Sequence, residues 1–341
     1  MYKVQKDKTK KTKQQKGKKP SINTTPLYIA LIILLVIYVF EQGNSSIALF
    51  SSAGVFLLII VLLVTEITNG VRETGYVGNV VEILAAVVIV VVIWYGLRFI
   101  LNTPNPLDVV PSCSMLPTLQ RGDLIALQGI GSSVSSIDAP VVNVTKSEAA
   151  TITSGNNESL ECVAYRYSGD TIYYSQYMQP GYSLGLYKST PYGGEIVPPG
   201  AQSKNLVQYA CGIQHVRFDN GTILSEAYTS SISILNKTIH GDANNSIIVY
   251  KTVPSDSFYQ EGDSFIVHRV YAVLNASGEY YFLTKGDNNP GLDMQYSNYP
   301  ANTSQVQGKV LFSLPYIGYL KLILSSTPTP PAGCNSTVVS A

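Results

Sequence analysis

Between residues 24 and 101 the chain carries three apolar runs, Thr24 to Phe40, Ile47 to Val64 and Ile83 to Leu101. The stretches "IALIILLVIYVF" and "ILAAVVIVVVIW" within them contain no charged residue. Each run has 17 to 19 residues, close to the ~20 that cross the hydrocarbon core of a bilayer. Charge-free runs of this length point away from buried helices of a soluble domain and predict three transmembrane helices over residues 24–101. The first run is short enough to be confused with a signal peptide. No A-x-A-like site follows it, however, and two further runs do.

Charge then suggests an orientation. The net charge of +1 hides an asymmetry: residues 1–19 hold nine lysines against one acid, Asp7. Such a segment buries too little apolar surface to offset its ordering entropy, so residues 1–23 read as a disordered basic tail. Nucleic-acid binding is the rival reading of those lysines, and the apolar runs behind them favour a membrane role instead. The positive-inside rule keeps the tail in the cytoplasm, and three crossings place everything after residue 101 outside. The loop Thr65 to Glu82 is then cytoplasmic, although it sets one Arg72 against Glu66, Glu73 and Glu82. Trp94 and Tyr95 suit an outer interfacial belt.

The exterior part holds eight N-x-S/T sequons, at Asn143, Asn157, Asn220, Asn236, Asn244, Asn275, Asn302 and Asn335, with a ninth at Asn44 in the first outer loop. Each is weak evidence alone, and their distribution agrees with the topology. "TIYYSQYM", "SIIVYKTV", "SFIVHRVYAVL", "EYYFLTK" and "QGKVLFSL" read as strands between turn signals. The exterior is therefore expected to be mainly β.

The chemistry concentrates in three places. "PSCSMLPTLQRGDLIAL", residues 111–127, is a polar turn followed by a strand. A serine nucleophile needs a nearby base, and the chain has three histidines, His215, His240 and His268. His268 lies in a β-rich run, where alternation puts it on one face with Val270 and puts Val267 and Arg269 on the other. A lone histidine in a strand is more often structural. The following loop, "TKGDNNPGLD", adds carboxylates at Asp287 and Asp293. It lacks the further acidic ligands of an EF-hand calcium loop. His215 and His240 have no cysteine pair at metal-ligand spacing, so neither metal nor cofactor is expected.

Taken in order, these pieces resemble the type I signal peptidases, in the archaeal and endoplasmic-reticulum branch. The serine box stands as Ser112-Cys113-Ser114-Met115-Leu116-Pro117-Thr118-Leu119, followed by Gly122-Asp123-Leu124. The histidine box is His268-Arg269-Val270, the acidic box Lys285-Gly286-Asp287-Asn288-Asn289 with Asp293, and "LPYIGYL" looks like the closing strand. The resemblance covers residues 105–128 and 241–324, under a third of the chain. It implies a membrane-bound serine endopeptidase with antiparallel sheets, acting on secretory preproteins beside the translocation machinery. It casts Ser114 as nucleophile, His268 as general base and acid, and Asp293 as its orienting carboxylate. Asp287 would support the loop, and Ser112 would lend its hydroxyl to an oxyanion hole. Met115 would line a shallow substrate pocket. The bacterial branch has Lys-Arg-Val where this chain has His-Arg-Val. Lys285 is the lysine with a rival claim to be the base.

Two features depart from that pattern. Cys113 stands where the family often has a small residue. Residues 130–240 form a long insertion, read as a β-rich surface elaboration, a lid or an interaction module. Cys162 and Cys211 lie in it and are the natural disulfide pair. Cys334 falls in a Thr/Pro/Gly-rich segment, and residues 325–341 are expected to be a flexible tail. The catalytic β domain is thus expected over 105–129 and 241–324. The alternatives are a non-catalytic membrane-anchored β-rich surface protein, a regulatory autoprotease on a related fold, and a membrane serine protease of other specificity.

Overall fold

A computed structural model describes residues 22–41, 45–131, 134–154, 174–177, 185–190, 193–197, 206–296, 298–324, 330–331 and 333–340. They fall into two compact units, Met1–Ile93 and Trp94–Ala341.

The first unit departs from the expected three helices. It contains α1 (Thr25–Phe40) and most of α2 (Ser45–Ile100), a single helix of 56 residues. At 1.5 Å per residue α2 is roughly 84 Å long. Two stretches of it, Ser46–Val71 and Val80–Ile100, are long and apolar enough to cross a membrane. The expected loop from Thr65 to Glu82 is helical instead. The physical reason is that no proline occurs between Pro26 and Pro104. Gly70, Gly75 and Gly78 each cost a helix about 1 kcal/mol but still supply an N–H. Pro26 sits in the first turn of α1, where its missing N–H costs nothing. Asn69 of α2 staples the chain ahead of α1, accepting from the Ile22 N–H at 2.8 Å and donating to the Ile22 carbonyl at 2.9 Å. A Cβ on Gly54 would come 3.3 Å from Leu34, so the two helices meet closely there.

The second unit is built mainly of antiparallel strands. Along the chain come β1 (Leu107–Val109), β2 (Leu124–Gln128) and β3 (Val141–Asn143), then the short helix α3 (Lys146–Thr153). A capping box starts α3: Thr145 accepts from the Glu148 N–H, and Glu148 accepts from the Thr145 N–H. Next are β4 (Tyr174–Tyr177), β5 (Gly185–Thr190), β6 (Gly193–Val197), β7 (Val207–Phe218), β8 (Ile223–Ile234) and β9 (Lys237–His240). Then β10 (Ile247–Lys251), α4 (Ser257–Gln260), β11 (Phe265–Ala276), β12 (Glu279–Lys285), β13 (Ala301–Asn302), β14 (Val306–Leu314), α5 (Tyr319–Leu324) and β15 (Ser336–Ser340) complete the order.

The main sheet runs β1-β2-β14-β10-β11-β12-β13, and β3 joins β11 in a parallel pair. A second sheet runs β15-β7-β8-β9, and β4-β5-β6 form a third. β11 is apolar along nearly its whole length because both of its faces are covered. Ile266, Val270 and Val273 pack with Ile248, Tyr250 and Phe282. Tyr271, Leu274 and Ala276 pack the other way, against Ile232, Ile234 and Ile239. A bulge between Val270 and Ala272 shifts the strand's phase between these two sets.

That second core corrects the reading of residues 130–240 as a surface elaboration. Val142, Ile152, Val207, Ile232, Ile234 and Ile239 share one buried cluster with Leu274, Leu283 and Leu292. The expected flexible tail is corrected as well. Ser336–Ser340 pairs with β7, setting Val338 opposite Val216, and Cys334 is disulfide-bonded to Cys113 across 221 residues. A covalent bond and a strand ladder hold what its composition alone would leave loose. Cys211 lies on β7 opposite Thr229. Cys162, and with it the expected Cys162–Cys211 pair, lies outside the described residues.

Ile232 is fully buried in the shared core. Ile232→Ala should therefore cost about 2–5 kcal/mol and raise amide exchange at Leu274 of β11 as well as in β8. Exchange confined to β7–β9 would show instead that the inserted sheet unfolds by itself.

Candidate active site

The turn from Pro111 to Gln120 bridges β1 and β2. Its ends are pinned by the Val110 N–H donating to the Asp123 carbonyl at 3.0 Å and the Gly122 N–H to the Val110 carbonyl at 2.9 Å. The buried Asp123 carboxylate accepts from the Gln120 N–H at 2.9 Å and from the Tyr316 N–H at 3.3 Å. Burial raises its pKa, against those two N–H groups. Gly122 has φ +89, and a Cβ there would stand 2.2 Å from the Tyr319 ring. Only glycine fits on both counts. Arg121 lies over that same ring at 5.7 Å and donates to the Pro111 carbonyl at 3.0 Å. Tyr316 hydrogen-bonds Gln120. The "LPYIGY" segment is thus a brace under the serine turn.

Within the turn the Leu116–Pro117 peptide is cis. Met115 has no exposed surface and packs with Leu119, Ile125, Leu127, Val249 and Val267. This corrects its expected place as a pocket wall: alternation along the turn sends Ser114 out and Met115 into the core. The cleft beside Ser114 is lined instead by Pro111, Ser112, Asp263, Phe265, Ile266, Val267, His268 and Pro331.

Ser114, His268 and Asp293 form one hydrogen-bonded chain. Ser114 Oγ lies 2.9 Å from His268 Nε2, and His268 Nδ1 lies 2.7 Å from Asp293 Oδ2. This geometry suits an imidazole carrying its proton on Nδ1, toward the carboxylate, and accepting from the serine hydroxyl. Strand register explains the placement. His268 on β11 is directly opposite Ile248 on β10, and Tyr250 is two residues along on the same face. The Tyr250 hydroxyl accordingly reaches Asp293 Oδ2 and donates to it at 2.9 Å. Phe258 presents an edge contact to the His268 ring, with centroids 6.0 Å apart. Asp293 opens a short 3-10 turn, Asp293–Tyr296.

Burial acts to raise the Asp293 pKa. Attraction to His268, with hydrogen bonds from His268, Thr284 and Tyr250, outweighs it and holds the carboxyl below its usual range. Burial and the Asp293 charge push the Tyr250 phenol well up, so it remains a donor. Asp263, at the rim of the cleft, is raised by burial and partly lowered by His268.

The other residues named from sequence also take definite places. Ser112 Oγ is 3.2 Å from Ser114 Oγ. Asp287 receives both Nε and an Nη of Arg269, at 2.8 and 2.6 Å, and the Thr118 hydroxyl at 2.6 Å. Arg269 also donates to the carbonyls of Ala243 and Asn245 at 2.5 and 2.7 Å. Asp287 thus clamps the histidine strand to the serine box, while Asp293 is the carboxylate on His268. Lys285 donates to the Gly286 carbonyl at 3.3 Å, whereas Ser114 Oγ has His268 as its nitrogen partner. His215 sits on β7 and His240 at the end of β9. Among the described residues no cluster of three or more His, Cys, Asp or Glu could hold a metal ion.

Sequence reasoning missed two contributors. Tyr250 was signalled by the alternation of "SIIVYKTV", since a tyrosine on a core face needs a partner for its hydroxyl. Asn288 carried no signal of its own. Its N–H donates to the Ser114 carbonyl at 2.7 Å, and its side-chain amide donates to the carbonyls of Cys113 and Ser336 at 3.1 and 2.8 Å. Gly286 lets this loop approach: a Cβ there would come 2.7 Å from the Ser114 carbonyl oxygen.

The chain matches no protein-family model, no curated protein and no solved structure.

Two expectations follow from this geometry. In Tyr250→Phe the Asp293 carboxylate loses a buried donor, which should lower stability by about 1.5–3 kcal/mol, the range for a hydrogen bond to a charged group. The cost should appear as a lower urea midpoint at unchanged slope. The depressed Asp293 pKa contributes stability that is present above the unfolded carboxylate range and lost as pH falls through the lower folded value. Asp293→Asn should therefore flatten the acid limb of a stability-against-pH curve. A variant curve parallel to wild type below pH 5 would contradict this.

Proposed function

We propose that the protein is a membrane-bound serine endopeptidase that removes N-terminal signal peptides from preproteins. The hydrogen-bonded order Ser114, His268, Asp293 carries the reading, supported by the four motifs shared with the signal peptidases. In the first step Ser114 Oγ attacks the scissile carbonyl while His268 Nε2 takes its proton. Asp293 stabilises the imidazolium that forms. The Ser112 hydroxyl, beside Ser114, donates to the developing oxyanion. His268 then gives its proton to the departing amine, leaving an ester on Ser114. Water, deprotonated by the same imidazole, hydrolyses that ester. No cofactor enters the scheme.

The mode of substrate binding follows from strand pairing. Phe265 to Val267 of β11 pair with β10 on one side, and pairing with β12 begins only at Arg269. Among the described residues no strand covers the other edge of Phe265 to Val267, which lines the cleft. An extended peptide can add there through main-chain hydrogen bonds. Its first and third side chains before the cut then face the enzyme together.

In this reading the lysine-rich tail is cytoplasmic, the chain is multi-pass in the cell membrane, and the β unit faces the outside. The partners are secretory preproteins, the bilayer and the translocation machinery. Three crossings would need a reversal between Val71 and Val80, where α2 runs on without a turn.

The test uses membranes bearing the protein and a secretory precursor. Ser114→Ala should abolish trimming while the protein still reaches the membrane. His268→Ala and Asp293→Asn should each cut turnover severely, and Ser112→Ala should lower the rate on the order of 10²-fold or more. Small residues, chiefly Ala, should be required at the first and third positions before the cut. Acceptance of bulky residues at both would favour a membrane serine protease of other specificity. Absence of any Ser114-dependent cleavage would favour a non-catalytic surface protein.

A further inference from the structure

The C-terminal segment reaches the catalytic serine, and its composition gives no reason for it to be there. Cys113, between Ser112 and Ser114, is bonded to Cys334. Pro331, three residues before Cys334, lines the cleft with Ser112, Ser114 and His268. Three residues of chain span at most about 10 Å, so while the disulfide holds, Pro331 stays near Ser114. A pyrrolidine ring with fixed φ is also a stiff wall.

The attachment is redundant. Asn288 bridges the Cys113 and Ser336 carbonyls with its amide nitrogen and accepts from the Val338 N–H at 2.9 Å through its amide oxygen. The same residue's N–H holds the Ser114 carbonyl. Beyond it, Ser336–Ser340 adds to β7, and the Asp219 N–H donates to the Asn335 carbonyl at 3.0 Å. The segment is thus tied to the very residues that fix the nucleophile. Among the described residues lining this cleft, Pro331 alone lies outside the serine turn and the Asp263-to-His268 stretch.

We propose that Pro331, held by the Cys113–Cys334 bond, is a specificity-determining wall of the cleft that limits the bulk of the peptide side chain bound beside Ser114. This rests on the serine-peptidase reading and extends it. The substrate class is an extended peptide with small side chains next to the cut. Phe265, Ile266 and Val267 form the part of the cleft contributed by the sheet, and the C-terminal segment supplies a part that the sheet does not.

The experiment uses the full chain in detergent micelles and a panel of precursors carrying Ala, Val, Leu or Phe at each of the three residues before the cut. The readout is kcat/KM for each precursor relative to Ala at the same position. Pro331→Gly and Cys334→Ser should raise the relative value for Val and Leu at one position by roughly tenfold or more, the usual worth of a methylene or two in a pocket. Pro331→Trp should lower it at that same position. Unchanged relative values in both Pro331 variants overturn the proposal. So does an equal rise for every precursor in Cys334→Ser, which would make the segment a plug. If Cys334→Ser fails to fold, the Pro331 variants keep the disulfide and decide alone. Lack of cleavage by wild type sinks the serine-peptidase reading and this proposal with it, whereas wild-type cleavage with unaltered selectivity in the variants sinks this proposal alone.

Discussion

A carboxylate at 2% exposure, as Asp293 is, stands in the fold only if hydrogen-bond donors replace part of the water it has lost. His268 and Tyr250 meet it on the same oxygen, from two neighbouring strands. The acidic loop carries a second carboxylate, Asp287, six residues earlier, and Arg269 meets that one. His268 and Arg269 are adjacent on β11, so their side chains leave opposite faces of the strand. The loop between the two carboxylates therefore straddles β11. One arm of this clamp orients His268, and the other, through Thr118, holds the serine turn against the same strand. Removing either partner would leave an uncompensated charge in a poorly solvated place.

Much of this was legible in the sequence, for identifiable reasons. Ser114, His268 and Asp293 could be named because their stretches, in that order, resemble the serine, histidine and acidic boxes of the signal peptidases. The chain has only three histidines, and one of them sits in a strand just ahead of an acidic loop. The β character of the second unit followed from alternation and turn residues. Met115 was misplaced because a turn's in-or-out alternation is set by its tertiary brace, here Asp123, Gly122 and the Tyr319 ring, and not by a repeating pattern. Asn288 was invisible because its bonds run to backbone carbonyls of residues 113 and 336, which no local pattern encodes. The Cys113–Cys334 pairing was hidden for the same reason. Proximity in sequence favoured a pair within the insertion, while the actual contact crosses 221 residues.

The insertion and the α2 helix were misread through opposite errors. Residues 130–240 looked peripheral because they interrupt a recognisable set of motifs. Yet Val207, Ile232 and Ile234 supply the apolar cover for the face of β11 that carries Tyr271 and Leu274. A strand as apolar as β11 needs both faces covered, and the elements surrounding the motifs leave one of them open. In α2, polar residues between two apolar stretches suggested a loop. Polarity alone does not end a helix, however, and the stretch contains neither a proline nor any other residue that lacks an N–H.

The strand order has a consequence for how such a chain could be made. β2, which leads out of the serine turn, reaches β10 only through β14, at residues 306–314. A nascent chain that has emerged from the ribosome as far as residue 300 already contains Ser114, His268 and Asp293. It still lacks the strand that sets the serine turn beside the histidine strand, and it lacks the cysteine that joins Cys113. The three side chains can therefore be brought together only after β14 and Cys334 have been made, so the site closes late in synthesis.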